Sequence, residues 1–330
     1  MSNKHIIEIE HLVKKYADLA AVNDISFTVD QGEIFGLLGP NGAGKTTAIN
    51  ILCTLAKPTS GKASINGFDV THQRSQVRQC IGLVFQDPSL DDRLNALENL
   101  EFHSRVYNIP APVRKERIEQ VLRMVELWER RRGVVKTFSG GMKRRLEIAR
   151  GLLHRPKVLF LDEPTLGLDP QTRRRLWDFI LDLRREEGTT VFLTTHYMDE
   201  AEYADRIAIM DHGEIIALDK PQALKSAVGG DMISLNTADN ERAQAELRER
   251  YHIEASRDDE EHITFEIANG DRFIPVLIKE FATNIVSVSL RRPTLDDVFL
   301  KLTGHRLRDE AVKNEFKEMM RQFGRHQRRR

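Results

Sequence analysis

The sequence predicts an α/β fold followed by a smaller α+β domain, and three observations carry this prediction. Short apolar runs recur between polar segments, at residues 34–38, 81–85, 158–161 and 191–193. Such runs are typical of strands that helices cover on both faces of a parallel sheet. Residues 87–150 instead follow a polar, helical pattern, and the character of the chain changes again near residues 228–230. The length of 330 residues suits about two domains of roughly 150 residues each.

The chain is electrically balanced, with 50 basic and 50 acidic side chains. Proteins that neutralise nucleic-acid phosphates usually carry a basic excess, so we expect no nucleic acid as a partner, and any anion site must be local. No run approaches the roughly 18 apolar residues that a membrane-spanning helix needs, and residues 1–16 lack the apolar core of a signal peptide. We therefore expect a chain that stays in the cytosol and does not itself cross a membrane.

The first elements along the chain are predicted from the spacing of their apolar residues. Residues 6–9 and 25–29 alternate apolar and polar side chains, which indicates antiparallel strands with one buried face. The stretch at 87–150 is interpreted as a helical subdomain inserted into the sheet domain, because residues 113–128 place their apolar side chains on roughly one helix face. Residues 207–216 predict a hairpin with a His-Gly turn.

A small second domain is predicted after a boundary at residues 228/229. Its strand patterns lie at residues 232–235, 262–267 and 285–290. Because these patterns alternate with helical ones, they favour an α+β module over residues 229–304, following a first domain at residues 1–228.

The end of this module and the tail behind it also have recognisable patterns. In the last helix, Thr294 can provide the N-cap, Asp297 follows three residues later and Gly304 ends the pattern. Residues 305–330 are predicted to form a basic amphipathic tail. This tail either lies on an anionic membrane surface, stays solvated or packs on the parent domain.

A glycine-rich loop stands directly after the run at 34–38 and before a helical pattern. Its residues are Gly39, Pro40, Asn41, Gly42, Ala43, Gly44, Lys45, Thr46 and Thr47. The glycines let successive backbone N–H groups face a phosphate chain, and the following helix directs its positive end to the same place. We expect Lys45 to bridge the β- and γ-phosphates and the Thr46 hydroxyl to ligate Mg²⁺. The chain is therefore predicted to bind a nucleoside triphosphate such as ATP.

Polar side chains follow three other predicted strands. Asp162 and Glu163 come after the run at 158–161, at the edge where ligands collect in open parallel sheets. We expect Asp162 to hold Mg²⁺, directly or through water, and Glu163 to orient or deprotonate an attacking water. Gln86 and His196 follow two further strands, and both can reach a γ-phosphate or its attacking water if those strands lie beside the strand of the phosphate loop.

A second potential anion site opens the helix that follows Phe138. Ser139, Gly140 and Gly141 stand at its start, where a helix N-terminus favours negative charge. A single bound nucleotide would not need two such anion sites from the same chain. With this motif the sequence closely resembles the ATP-binding subunits of ABC transporters, over about residues 6–227. The resemblance implies a P-loop ATPase domain with a mixed sheet and a helical subdomain.

The motifs of that family occur here in its usual order. Residues 39–47 match the Walker A loop, Gln86 the Q-loop, Ser139 to Gly141 the signature, residues 158–163 Walker B, Asp169 the D-loop and His196 the switch histidine. Tyr16 matches the aromatic residue that stacks on adenine. Phe138 and Met142 replace the Leu and Gln that usually open and close the signature, but both replacements leave the Ser139 hydroxyl in place.

The resemblance implies how these residues work together. ATP and Mg²⁺ are the expected ligands, with Thr46, Gln86 and Asp162 on the metal. Glu163 is expected to activate water, with Gln86 and His196 completing the γ-phosphate shell. Two ATPs are expected between two copies of the chain, the signature of one copy covering the phosphate loop of the other, as in a homodimer.

Residues 291–304 are similar to the C-terminal extension of the daunorubicin-resistance type of ATPase, which works with separate ABC-2 membrane proteins. The resemblance implies a peripheral subunit at the cytoplasmic face of the membrane that powers export, possible cargoes including drugs and lipids, through an ABC-2 type transmembrane permease. The extension itself can instead be a dimer-stabilising or regulatory module.

Two alternatives to an export motor remain open. One is a soluble ABC-type ATPase that acts in translation or on DNA without transport. The single Walker A motif and the lack of a long coiled-coil insertion argue against it. The other is an import motor, against which the C-terminal extension argues.

Overall fold

The computed structural model describes residues 5–86, 89–258 and 262–303, and the chain divides into two units between Lys220 and Pro221. The strands of the first unit are β1 (His5–Tyr16), β2 (Leu19–Asp30), β3 (Ile34–Leu38), β4 (Ser60–Ile65), β5 (Phe68–Asp69), β6 (Ile81–Val84), β7 (Val158–Asp162), β8 (Thr190–Thr195), β9 (Arg206–Asp211) and β10 (Glu214–Asp219). Its helices are α1 (Lys45–Leu52), α2 (Arg74–Cys80), α3 (Ala96–Val106), α4 (Ala111–Met124), α5 (Gly140–Leu152), α6 (Pro170–Glu187) and α7 (Met198–Ala201).

A six-stranded sheet in the order β10-β9-β3-β8-β7-β6 forms the centre of the first unit. Strands β9, β3, β8, β7 and β6 run parallel, and β10 pairs antiparallel with β9. Every residue of β3, β7 and β8 is buried, as expected for strands covered on both faces. The strands predicted from apolar runs and the hairpin at 207–216 are therefore confirmed, and the sheet is mixed as the resemblance implied.

A second, antiparallel sheet in the order β2-β1-β4-β5 packs against the first. The two sheets meet at a stack of aromatic rings, with centroids 5.1 Å apart between Phe27 and Phe35 and 5.4 Å apart between Phe35 and Phe192. The antiparallel pairing predicted for residues 6–9 and 25–29 is confirmed in β1 and β2. Strands β4 and β5 were not predicted, because β4 exposes its first three residues and β5 is only two residues long.

Residues 89–152 form helices α3, α4 and α5 with two 3₁₀ turns, and this part of the chain contains no strand beyond one isolated bridge. Helix α3 begins with a capping box, in which the Asn95 side chain accepts from the Glu98 N–H and the Glu98 carboxylate accepts from the Asn95 N–H. Helix α4 starts and ends a little earlier than the predicted span of 113–128 and buries Ile118, Val121 and Leu122.

The second unit contains the helices α8 (Pro221–Val228), α9 (Asn240–Tyr251), α10 (Gly270–Glu280) and α11 (Leu295–Thr303) and the strands β11 (Asp231–Thr237), β12 (Ser256–Arg257), β13 (Ile263–Ile267) and β14 (Ile285–Arg291). The strands form an antiparallel sheet in the order β12-β13-β11-β14. Ile233, Leu235, Phe265 and Leu277 belong to its core. The unit is thus an α+β module.

The observed division between Lys220 and Pro221 lies earlier than the predicted boundary at 228/229. Helix α8 contacts α11 and so belongs to the second unit. The glycines at 229 and 230, which suggested the boundary, connect α8 to β11 inside that unit, and the Gly230 N–H donates to Glu266 at 2.6 Å.

Helix α11 begins as the sequence predicted. The Thr294 hydroxyl accepts from the Asp297 N–H at 3.3 Å, and the Asp297 carboxylate accepts from the Thr294 N–H at 2.9 Å. The helix stop at Gly304 and the basic tail at 305–330 lie outside the described residues. Among the described helices, none is both long enough and apolar enough to span a bilayer.

Candidate functional site

The loop of residues 39–47 connects β3 to α1 and leaves no room for side chains at two of its glycines. Gly44 precedes α1 with φ +107°, and a Cβ there would lie 2.1 Å from the carbonyl oxygen of Ala21. A Cβ on Gly39 would lie 2.2 Å from the carbonyl oxygen of Met210. Only glycine combines the positive φ with this close approach of the backbone. The loop is therefore held tightly between β2 and β9.

This loop presents unpaired backbone donors. The N–H groups of Gly42, Gly44, Lys45 and Thr46 donate no hydrogen bond within the described part of the chain. They surround the N-terminus of α1, where the helix dipole favours an anion. A chain of phosphates fits this arrangement, because its oxygens can accept from these donors.

The Lys45 side chain lies over the loop and is only 4% exposed. Its Nζ donates to the carbonyl oxygens of Gly39 at 2.7 Å and Pro40 at 3.0 Å, and it lies 3.7 Å from Oε1 of Glu163. Burial lowers the pKa of Lys45, and the charges of Glu163 and Asp162 oppose this change. The ammonium group is thus placed at the mouth of the loop, within reach of an anion held there.

Asp162 ends strand β7 and directs its carboxylate to the start of α1. Its Oδ1 accepts from the hydroxyl of Thr46 at 3.4 Å and from the hydroxyl of Thr194. Burial raises the pKa of Asp162. One hydroxyl and one carboxylate are the kind of oxygen ligands that suit Mg²⁺ when phosphates and water supply the rest. Among the described residues, no group of three or more His, Cys, Asp or Glu side chains is placed to hold a metal ion.

Glu163 follows Asp162 in an unusual backbone conformation. Its φ is +46°, in the left-handed region that non-glycine residues rarely adopt. Its N–H donates to the carbonyl oxygen of Thr194 at 3.2 Å and to the Thr194 hydroxyl at 3.1 Å. Such conformations cost roughly 1–3 kcal/mol and persist where the surroundings fix them, often at functional sites.

The carboxylate of Glu163 lies beside a histidine and a lysine. Oε1 is 3.3 Å from Nδ1 of His196 and 3.7 Å from Nζ of Lys45. Burial alone would raise the pKa of Glu163, but His196 and Lys45 outweigh it, so the pKa lies below its usual value. The group is ionised at neutral pH and can accept a proton from water.

The order of the strands decides which predicted residues meet. Strand β8 is the direct neighbour of β3, so His196 directly follows a strand beside the phosphate loop. Strand β6 is separated from β3 by β7 and β8, and Gln86 is exposed at its end. No hydrogen bond joins Gln86 to Thr46 or Asp162 among the residues described. The metal and γ-phosphate roles of Gln86 therefore stay predictions.

The second predicted anion site lies at the start of helix α5. Ser139 is the N-cap, its hydroxyl accepts from the Met142 N–H at 3.3 Å, and both Ser139 and Gly140 are exposed. No contact joins Ser139 to the phosphate loop within the part of the chain that the structure describes. Phe138, the replacement at the first signature position, is buried beneath the helix start.

Tyr16 is half-exposed in the hairpin of β1 and β2, with Nζ of Lys14 4.7 Å from the centre of its ring. Ala21, further along β2, lies against Gly44 of the phosphate loop. The half-exposed ring of Tyr16 is therefore on a hairpin that borders this loop, and its stacking on adenine stays a prediction.

Two buried charged residues near the site were missed by the sequence analysis. Arg144 on α5 bonds to the backbone around Glu163. Glu200 on α7 is 1% exposed and accepts from the hydroxyls of Thr165 and Thr195. The one sequence signal for Arg144 is its spacing of three from Glu147, which lets the two side chains pair on one helix face.

The buried carboxyl of Glu200 predicts a pH dependence of stability. Burial raises its pKa to about 7, although the hydroxyl of Thr195 and the nearby Arg173 oppose this. The folded state therefore holds this proton more tightly than the unfolded state, and this group's contribution to the free energy of unfolding falls as the pH rises from about 4.5 to about 7 and then stays level.

Glu200→Gln removes that contribution while keeping a hydrogen-bonding side chain. We expect the melting temperature of the variant, relative to that of the parent, to rise between pH 5 and pH 8. Thermal unfolding at both pH values measures this difference. A difference that does not change with pH would contradict the assignment of the raised pKa to Glu200.

Comparison with protein families gives two matches. The family described as "ABC transporter" matches residues 22–166. The family described as "ATP-binding protein DrrA1-3-like, C-terminal domain" matches residues 220–303. The second match begins close to the observed division of the chain.

Two curated relatives align along nearly the whole chain. The linearmycin resistance ATP-binding protein LnrL of Bacillus subtilis is 38% identical over 92% of this chain and 100% of its own length. The daunorubicin/doxorubicin resistance ATP-binding protein DrrA of Streptomyces peucetius is 39% identical over 94% of this chain and 96% of its own.

Solved structures share the fold. The dimeric ATP-binding cassette MJ0796 in a post-hydrolysis state with ADP and Pi is similar with a TM-score of 0.59 and 29% identity, over 65% of this chain and 98% of that one. The subunit cbiO1 of Clostridium perfringens, part of an ABC transporter complex, is similar with a TM-score of 0.64 and 26% identity, over 76% of this chain and 97% of that one.

Proposed function

The chain belongs to the family of ABC transporter ATP-binding proteins, and on this premise we propose that it hydrolyses Mg²⁺-bound ATP to power export through a separate ABC-2 type membrane permease. The observation that carries the proposal is the convergence of Lys45, Glu163 and His196 beside the unpaired N–H groups of the phosphate loop. This arrangement combines phosphate binding with a proton acceptor, which are the two requirements of nucleotide hydrolysis.

Binding of ATP is assigned to the phosphate loop and to Tyr16. The N–H groups of Gly42, Gly44, Lys45 and Thr46 donate to phosphate oxygens, and Lys45 exchanges its side-chain contacts with loop carbonyls for the β- and γ-phosphates. The half-exposed ring of Tyr16 stacks on adenine. Mg²⁺, held by Thr46, Asp162 and Gln86, neutralises phosphate charge when bound.

Water activation is assigned to Glu163. Its carboxylate is ionised and accepts a proton from water as the water attacks the γ-phosphorus, which releases ADP and phosphate. His196 lies against the same carboxylate and donates towards the γ-phosphate from the neighbouring strand end. These two side chains thus orient the water and the group it attacks.

The signature at residues 139–141 is assigned to the ATP of a second copy. Its N-cap and first glycine are exposed, and a helix N-terminus there favours a phosphate. Two copies related by a two-fold axis place each signature over the phosphate loop of the other, so each ATP has ligands from both copies. The related cassette MJ0796 has been solved as a dimer, which supports this arrangement.

The permease, the membrane location and the type of cargo are inferred from the relatives. The curated relatives are named for resistance to linearmycin, daunorubicin and doxorubicin, so we assign this chain to the export of drug-like molecules. We place it on the cytoplasmic face of the membrane through its permease, with the segment after Gln86 as the coupling region.

Affinity purification of the tagged chain from detergent-extracted membranes tests the proposal. We expect a membrane protein with several spanning helices to copurify in stoichiometric amount, and its reconstitution with the chain in lipid vesicles to stimulate ATP hydrolysis. Recovery of ribosomes or DNA alone would instead support an ATPase that acts without transport.

A further inference from the structure

Arg144 lies near the start of helix α5 and is 7% exposed. Its guanidinium donates to the carbonyl oxygens of three consecutive residues, from Nη2 to Asp162 at 3.0 Å and Glu163 at 3.3 Å, and from Nε to Pro164 at 2.7 Å. A guanidinium has five N–H donors in a fixed planar fork that match such a set of acceptors, whereas the three N–H donors of an ammonium group all start from one atom. One side chain therefore fixes the backbone path around Glu163.

This contact explains how the left-handed conformation of Glu163 is maintained. Thr194 holds the N–H of Glu163 from strand β8, and Arg144 holds its carbonyl oxygen from helix α5. A non-glycine residue at φ +46° relaxes unless both sides of the turn are fixed. Relaxation would rotate the carboxylate away from Lys45 and His196.

Helix α5 also contacts the chain on both sides of residues 86–88. Nη1 of Arg144 donates to the carbonyl oxygen of Phe85 and pairs with Oε2 of Glu147 at 3.0 Å. Oε1 of Glu147 accepts from the Ser89 N–H at 2.8 Å, and Arg150 donates to the Ser89 carbonyl oxygen at 2.6 Å. The helix that begins at Ser139 is thus bonded to the turn of Glu163 and to the flanks of the Q-loop.

We propose that Arg144 is a positioning residue for Glu163, which holds its carboxylate in place for water activation and ties that placement to the seating of helix α5. The inference rests on the proposed function, in which Glu163 is the base and Ser139 contacts the ATP of the partner copy. When the dimer closes on ATP, the position that helix α5 takes is then passed to the Glu163 carboxylate through the guanidinium of Arg144.

Arg144→Lys tests the proposal in the full-length chain, with Arg145→Lys as its matched control. Lysine keeps the charge opposite Glu147 but cannot serve the three carbonyl oxygens together. We expect kcat to fall about 10²-fold, the scale of a misplaced catalytic group, while the affinity for ATP stays near the parental value. Arg145 instead bonds to Val125 and Glu126, so Arg145→Lys is expected to keep the parental kcat.

If Arg144→Lys is too unstable to purify, the double variant Arg144→Gln with Glu147→Gln replaces it, because it removes both members of the buried ion pair together. The same loss of kcat with retained ATP affinity is expected. A lower melting temperature with parental kcat, measured well below that temperature, would show a purely structural role and overturn the proposal.

Combination with Glu163→Gln separates this proposal from the proposed function. If Arg144 acts through Glu163, adding Arg144→Lys to Glu163→Gln lowers the single-turnover rate no further. If the rate losses of the two substitutions multiply in the double variant, the positioning role of Arg144 is overturned while the base assignment of Glu163 stands. Parental turnover by Glu163→Gln itself would overturn the base assignment and, with it, the positioning role.

Discussion

Glu163→Gln is expected to lower the rate of ATP hydrolysis by about 10²- to 10⁴-fold, the usual contribution of a general base, and to leave ATP binding intact. The amide has nearly the shape of the carboxylate, so the bonds of the Glu163 backbone to Thr194 and Arg144 are retained. A neutral amide cannot accept the proton of the attacking water. Binding is expected to persist because the phosphate loop and Lys45 are unchanged.

Steady-state hydrolysis and equilibrium binding of ATP measure the two parts of this prediction. Glu249→Gln, at an exposed position on α9, is the matched control and is expected to hydrolyse ATP at the parental rate. We also expect Glu163→Gln to accumulate as an ATP-bound dimer, which size-exclusion chromatography detects. Parental turnover by this variant would exclude Glu163 as the base.

Ser139→Asp is the second large expected effect, although Ser139 contacts no residue of its own phosphate loop among the described residues. Aspartate is as good an N-cap as serine, so helix α5 should begin unchanged. Its charge would face the γ-phosphate bound by the partner copy. Two like charges about 4 Å apart cost about 4 kcal/mol at an effective dielectric constant of about 20, which corresponds to about a 10³-fold loss of turnover.

Ser139→Asn is the matched neutral control, because asparagine also caps helices but carries no charge. We expect it to retain much more activity than Ser139→Asp, and both variants to melt near the parental temperature. Equal losses in the two variants would mean that packing rather than charge decides the effect. If Ser139→Asp hydrolysed ATP at the parental rate, the signature would not be part of the ATP site.

The sequence was informative wherever a local pattern determines the structure. Residues 34–38 and 158–161 are strands because an uninterrupted run of apolar side chains has to be buried on both faces of a sheet. The phosphate loop was identified because its glycines, lysine and threonine have fixed chemical roles at fixed spacing. The N-cap at Thr294 was found for the same reason, since its pairing with Asp297 is local.

Features that depend on long-range packing could not be predicted. The order of the strands puts His196 beside β3 and Gln86 three strands away from it, and no local pattern encodes that order. The left-handed φ of Glu163 is imposed by Thr194 and Arg144, which are distant in sequence. Arg144 itself sits in a charged run, which is usually exposed, and only its acceptors explain why it is buried.

The central claim is that each ATP site is shared between two copies, and a mixing experiment tests it most directly. Equal amounts of Ser139→Asp and Glu163→Gln, each nearly inactive alone, are combined before ATP is added. In a mixed dimer, the phosphate loop and Glu163 of the first variant meet the intact Ser139 of the second, so one of the two sites is complete.

Random pairing makes half of the dimers mixed, so the shared site predicts recovery of roughly a quarter of the parental rate in the mixture. If each chain instead contained its whole site, every site in the mixture would carry a defect. The rate would then equal the average of the two variants measured alone, and that result would contradict the account.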